Sequence, residues 1–214
     1  VADRTLIRWW MRPLMAAGMV VTASGLAAAD LELCDLRAGG GYYLVDLSSS
    51  DSSGAASQTV AYGSAISFMR GDLGRYGGVI YGGELAVIQD HYTDNGRYAS
   101  LEAECVKGFI GYAYAPFHQW HVELTPEAGI GYLFQTRDVD GQTVHGRGRA
   151  FIWGGRIGLY YTIHHLQFGL EGMHERIHGH LLADVLGDNG LNRRDSRTLT
   201  TAGSGIALDL GIRF

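Results

Sequence analysis

The chain has 214 residues, enough for one sizeable domain. It carries 32 glycines, 12 tyrosines and only 3 prolines. A formal net charge of -5 gives no reason to expect nucleic acid as a partner, and a mean hydropathy close to zero excludes a bundle of apolar transmembrane helices.

The N-terminal segment carries Arg4, Arg8 and Arg12 ahead of the uncharged run PLMAAGMVVTASGLAAA, which ends at Ala29. A basic start, a short apolar stretch and an A-x-A ending are the marks of a secretory signal peptide, assigned to residues 1–29. Met11 is a candidate start, with residues 1–10 an upstream translation. Residues 30–34 are expected as a short periplasmic N-terminus. Export permits disulfides, but Cys34 lies in that short segment and Cys105 in mid-strand, so the two are expected apart and reduced.

From residue 35 onward the chain reads as runs of period two separated by turn chemistry. The expected strands are 35–47, 59–70, 76–90, 97–115, 120–137, 149–163, 166–180 and 197–214. Long polar connections follow the first, third, fifth and seventh runs, and tight turns such as His164-His165 follow the others. Most runs exceed the five or six residues usual in soluble sheets and reach the nine to eleven a tilted strand needs to cross hydrocarbon. The expected fold is therefore all-β: a transmembrane antiparallel up-and-down β-barrel of about eight strands over residues 35–214. In the last run, Ile206, Leu208, Leu210, Ile212 and Phe214 share one parity, that of the lipid-facing side.

In architecture this stretch resembles the eight-stranded bacterial outer-membrane barrels of the OmpA, OmpX and opacity-protein type. The resemblance implies a Gram-negative outer-membrane location. It also implies that Phe214, ending an alternating strand, is the signal read by the barrel-assembly machinery.

Parity assigns a charged lumen. Glu84, Glu102, Glu104, Glu123, Glu127, Arg156, Glu171, Asp209 and Arg213 alternate with apolar neighbours and are expected inside, with Leu101, Ala103 and Cys105 facing lipid. Eight strands leave an interior just wide enough for side chains, and buried charge must pair. A hydrogen-bonded plug is thus expected, against the sharper alternative of a proton or ion path. Lys107 has the outward parity on this assignment, which calls for a bulge near Cys105 or snorkelling. Tyr112, Tyr114, Phe117, Trp120, Tyr160 and Tyr161 are expected as an aromatic girdle at the periplasmic interface.

On the seventh strand the outward row turns from Phe168, Leu170 and Gly172 to His174, Arg176, His178 and His180. Together with Arg137, Arg147 and Arg149 these form a basic outer rim, suited to phosphates of lipopolysaccharide; Arg193, Arg194 and Arg197 lie toward the same end. The segment PEAGIGYLFQTR, then GGRIGLYY, a short turn and a strand carrying His174, resembles the second half of PagL-type lipid A deacylases. That resemblance implies a catalytic base at His174, but the nucleophile position two residues on is Arg176. The expected function is a non-enzymatic envelope-structural or surface-interaction barrel. The alternative is a lipid A acyl hydrolase, or an inactive relative of one, in which His174 acts with an unidentified nucleophile. No cofactor is expected, and the spacing of His118, His121, His164 and His165 does not establish a metal site. Partners expected are outer-membrane lipid, lipopolysaccharide and an extracellular ligand of the loops.

Overall fold

A computed structural model describes residues 32–49, 57–73, 77–94, 97–117, 119–139, 142–186 and 192–214. Eight antiparallel strands close into one barrel in sequence order: β1 (Glu32–Ser49), β2 (Ser57–Asp72), β3 (Gly77–Asp94), β4 (Arg97–Phe117), β5 (Trp120–Val139), β6 (Gln142–Ile163), β7 (Leu166–Leu186) and β8 (Asn192–Arg213). Closure comes from pairing β1 with β8, in register from Asp35↔Arg213 to Ser49↔Leu199. A closed ring leaves no unpaired edge, which is what a sheet needs in a medium that cannot hydrogen-bond. The signal segment lies outside the described residues. Residues 32–34, expected within a short periplasmic N-terminus, are part of the first strand.

The strand starts Glu32 and Trp120 and the strand ends Asp72 and Arg213 lie at one end, called here the near end. His164 and His165 turn β6 into β7 there, with His164 at a φ of 55°, the left-handed conformation that a two-residue hairpin requires at its first position. At the far end the strands run well past the expected limits. β5 and β6 stay paired to Val139↔Gln142, and β7 and β8 to Leu186↔Asn192. Much of what reads as loop, such as residues 138–139 and 142–148, is therefore hairpin leg. Once a strand leaves hydrocarbon both faces are wetted, so alternation fades from the sequence while backbone pairing continues.

The outer wall is a lipid-facing surface. Ile206, Leu208 and Leu210 are 55–68% exposed, and so at similar levels are Leu124, Ile130, Ile110 and Leu44 on other strands. An apolar belt of this size around a closed ring is tolerable only against lipid. Tyr112, Tyr114, Trp120 and Tyr161 point outward near its near-end edge, with the Trp120 and Tyr161 rings 4.6 Å apart. Tyr160, expected in that girdle, is instead fully buried in the lumen. Adjacent residues of one strand face opposite sides, so it and Tyr161 cannot both reach lipid. The Phe117 side chain lies outside the described residues.

The lumen is filled. Its far half is an apolar cluster that includes Tyr43, Val45, Ile88, Leu101, Cys105, Leu133, Ile152, Ile177 and Leu181. At the near end Leu33, Met69, Ile80, Phe109 and Ala113 pack on the β1–β4 side. Between and beside these two lies the polar interior.

Candidate functional site

The polar interior is two ionic clusters joined by one tyrosine. In the middle of the barrel, Lys107 on β4 is 2% exposed. Its Nζ lies 2.7 Å from Glu84, 3.3 Å from Glu127 and 2.6 Å from Glu175. Arg156 on β6 meets the same carboxylates from the other side, at 2.5 Å from Glu84 and 3.1 Å from Glu127, and reaches Glu171 at 3.5 Å. Nearer the mouth, Arg37 on β1 donates two bonds to Glu123, of 2.7 and 2.5 Å, and one to Gln167 of 2.6 Å. Asp35 accepts from Arg37, from Gln167 and, at 2.9 and 3.0 Å, from Arg213. His121 lies 2.9 Å from Glu123.

Tyr160 bridges the clusters. Its hydroxyl donates to Glu171, the Arg37 guanidinium stacks on its ring at 3.9 Å, and His121 stacks at 5.1 Å. Room for this ring comes from glycine: a Cβ at Gly158 would sit 2.5 Å from it. Glu84, Glu123, Glu127, Arg156, Glu171, Asp209 and Arg213 are all part of this interior, as are four residues that sequence parity did not assign to it: Asp35, Arg37, Lys107 and Glu175. Above them the apolar far half holds a small, partly open cavity of about 30 Å³, lined by residues such as Val45, Ile88 and Leu101. That is room for a few waters at most.

Two expectations about β4 are corrected together. Glu102 and Glu104 face outward, while Leu101, Ala103, Cys105 and Lys107 face the lumen. Pairing with β3 and β5 runs unbroken through Cys105, and the shift in register lies between Tyr114 and Phe117, so no bulge near Cys105 is involved. Glu102 and Glu104 sit where the strand has left the hydrocarbon, so a charge there costs little on the outer face, whereas Lys107 in mid-span must turn inward to its three carboxylates. Arg137 is corrected likewise: it is buried, on the lumenal parity of β5 shared by Glu123 and Glu127, and is not part of the outer rim.

The outer rim is carried by β6, β7 and β8. Arg147 and Arg149 on β6 and His174, Arg176, His178 and His180 on β7 are all exposed. Register sets Arg149 beside His180 and Trp153 beside Arg176, whose guanidinium lies 5.2 Å from the Trp153 ring centre. From Leu166 to His174 is nine residues, one hydrocarbon crossing of a tilted strand, so His174 marks the far edge of the belt. The side chains of Arg193 and Arg194 lie outside the described residues.

Each β7 histidine is bonded to a hydroxyl on β8. Nδ1 of His174 lies 2.8 Å from Ser204 Oγ, that of His178 3.0 Å from Thr200, and that of His180 3.1 Å from Thr198. On β6, His145 meets Thr136 in the same way at 3.2 Å. Ser204 is thus the hydroxyl that sequence reading did not find beside His174, because it is adjacent across the sheet and 30 residues away in the chain. Of the other histidines, His118 is outside the described residues, and His164 and His165 occupy the exposed turn. No cluster of three metal-ligating side chains occurs among the described residues.

No family model matches the chain, and no curated protein sequence matches it significantly. Solved structures do. The attachment invasion locus protein Ail of Yersinia pestis is 14% identical with a TM-score of 0.42, covering 85% of this chain and 99% of its own. Neisserial surface protein A is 9% identical with a TM-score of 0.47, covering 80% and 95%. The outer membrane protease OmpT of Escherichia coli is 9% identical with a TM-score of 0.49, covering 89% and 99%. At such identities the likeness is one of architecture, and this chain's own closed strand pairing together with its exposed apolar outer wall is what marks it as a transmembrane β-barrel.

Proposed function

We propose that this chain is a closed, non-enzymatic barrel of the Gram-negative outer membrane, with its near end in the periplasm and its basic β6–β7 rim against lipopolysaccharide. The observation that carries this reading is the change on one outward row, from Phe168 and Leu170 to His174, Arg176, His178 and His180, at the depth where the strand leaves hydrocarbon. Arg147 and Arg149 extend the same face, and guanidinium forks suit phosphate. Phe214, exposed at the seam and bonded through its amide to Cys34 at 2.9 Å, is the proposed contact of the assembly machinery. Titrating detergent-solubilised barrel with diphosphoryl lipid A tests the rim. An Arg147→Gln/Arg149→Gln variant is expected to bind about thirtyfold more weakly, from roughly 1 kcal/mol for each of the surface charges removed; equal affinity would refute the rim.

A second reading is favoured by one contact. A serine hydroxyl 2.8 Å from an imidazole on the lipid-facing wall has the spacing of a nucleophile and its base, which would supply the group a lipid A acyl hydrolase needs. Against it, His178 and His180 make the same bond to threonine, so the contact follows from the β7–β8 register. Among the described residues no carboxylate is bonded to His174 to orient it. Fatty acid released from lipopolysaccharide by the wild type, and not by Ser204→Ala or His174→Ala, would establish the hydrolase in place of the first reading.

A further inference from the structure

We infer that the three β7 histidines make the rim a pH-graded phosphate-binding face, which tightens on anionic lipid as the medium acidifies. This rests on the rim reading above and concerns its regulation. The geometry has three parts. First, His174, His178 and His180 are exposed on one row, alternating with Leu170, Gly172 and Arg176 at the edge of the apolar belt. Second, Nδ1 of each is committed to a hydroxyl of β8, which leaves Nε2 to meet whatever lies outside the barrel.

Third, the partner hydroxyls suit both protonation states. A hydroxyl donates to a neutral Nδ1, and after a rotation accepts from a protonated one. Taking up a proton therefore breaks no bond in the ladder, and the imidazole gains a charge while staying in place. A backbone N–H in the same position would have opposed protonation.

The surroundings decide the sign. Across from these histidines β6 presents Arg149, Phe151, Trp153 and Gly155, and β8 presents Thr198, Thr200, Ala202 and Ser204. Arg176 lies between them on β7 itself. Among the described residues no carboxylate faces them; Asp138, bonded to Thr143 at 3.1 Å, belongs to the β5–β6 leg beside His145. Among the described side chains new positive charge here meets only other positive charge, so an external anion is its natural counter-ion.

The test compares wild type with a His174→Gln/His178→Gln/His180→Gln variant in detergent. Each is titrated with diphosphoryl lipid A, dephosphorylated lipid A and inorganic phosphate at about pH 8 and about pH 5.5. Phosphomonoesters themselves lose charge toward acid, so the informative quantity is the ratio of wild-type to variant affinity at each pH. With diphosphoryl lipid A that ratio is expected to grow on the order of a hundredfold from the higher to the lower pH. A smaller rise with inorganic phosphate identifies the phosphate as the group bound, and none is expected with dephosphorylated lipid A. Ratios that stay level, or that rise equally without phosphate, overturn the inference and leave the arginine rim standing. Absence of lipid A binding at either pH overturns both.

Discussion

The barrel carries charge in two places, and the contrast between them is instructive. Inside, carboxylates outnumber cations, and the side chains meet at 2.5–3.5 Å with little exposure to solvent. Outside, on β6–β7, the row is basic and exposed, and its named contacts are hydroxyls and an indole ring. A buried charge is held by fixed partners, because an unmatched one in a low-dielectric interior is very costly. An exposed charge at a lipid interface can be held by partners that come and go. The interior set therefore suits a lock that defines the fold, and the exterior set a surface that reads its environment.

The sharpest way to break this comparison is Lys107→Met. It leaves Glu84, Glu127 and Glu175 around an apolar side chain, and removing one partner of a buried set costs about 3–5 kcal/mol. Urea unfolding in detergent should show that loss, and a cost under about 1 kcal/mol would mean the interior is not a lock. Next comes Arg37→Lys, which keeps the charge but gives up the fork on Glu123 and the stacking on Tyr160. A loss of about 1–3 kcal/mol by the same measurement is expected. Arg147→Gln/Arg149→Gln should leave the unfolding midpoint in place while weakening lipid A, a separation that an interior substitution would not give. Smallest is Glu102→Gln on the outer face, expected to move stability by less than about 0.5 kcal/mol. Glu84→Gln, on the neighbouring strand but inside, should cost several times more.

Much of this was legible from period two alone. Strand number, order and the lipid-facing row of β8 follow from alternation, and so do Glu123 and Glu127 on β5; the His164-His165 turn follows from the break between two runs. β4 misled because each of its parities is greasy over a different half. Leu101, Ala103 and Cys105 line the apolar far half of the lumen, while Val106, Ile110, Tyr112 and Tyr114 face lipid. Charges near the outer end cannot fix the parity, since they lie outside the hydrocarbon on either face. Lys107, at mid-span, can. The girdle tyrosines Tyr112 and Tyr114 share the parity of Glu102 and Glu104 and already carried that signal. Ser204 was invisible for another reason: its nearness to His174 depends on register between strands, which periodicity within one strand does not encode.

The salt link between Asp35 and Arg213 has a consequence for how such a molecule comes into being. These residues are directly paired across the seam, one near the start of β1 and the other at the end of β8. Until the last strand docks against the first, Asp35 lacks its Arg213 contacts and the cage around Arg37 stands open to water. The final circularisation is thus rewarded by electrostatics as well as by backbone pairing, and an unfinished ring that has not yet met its own beginning is held back from settling as a stable product.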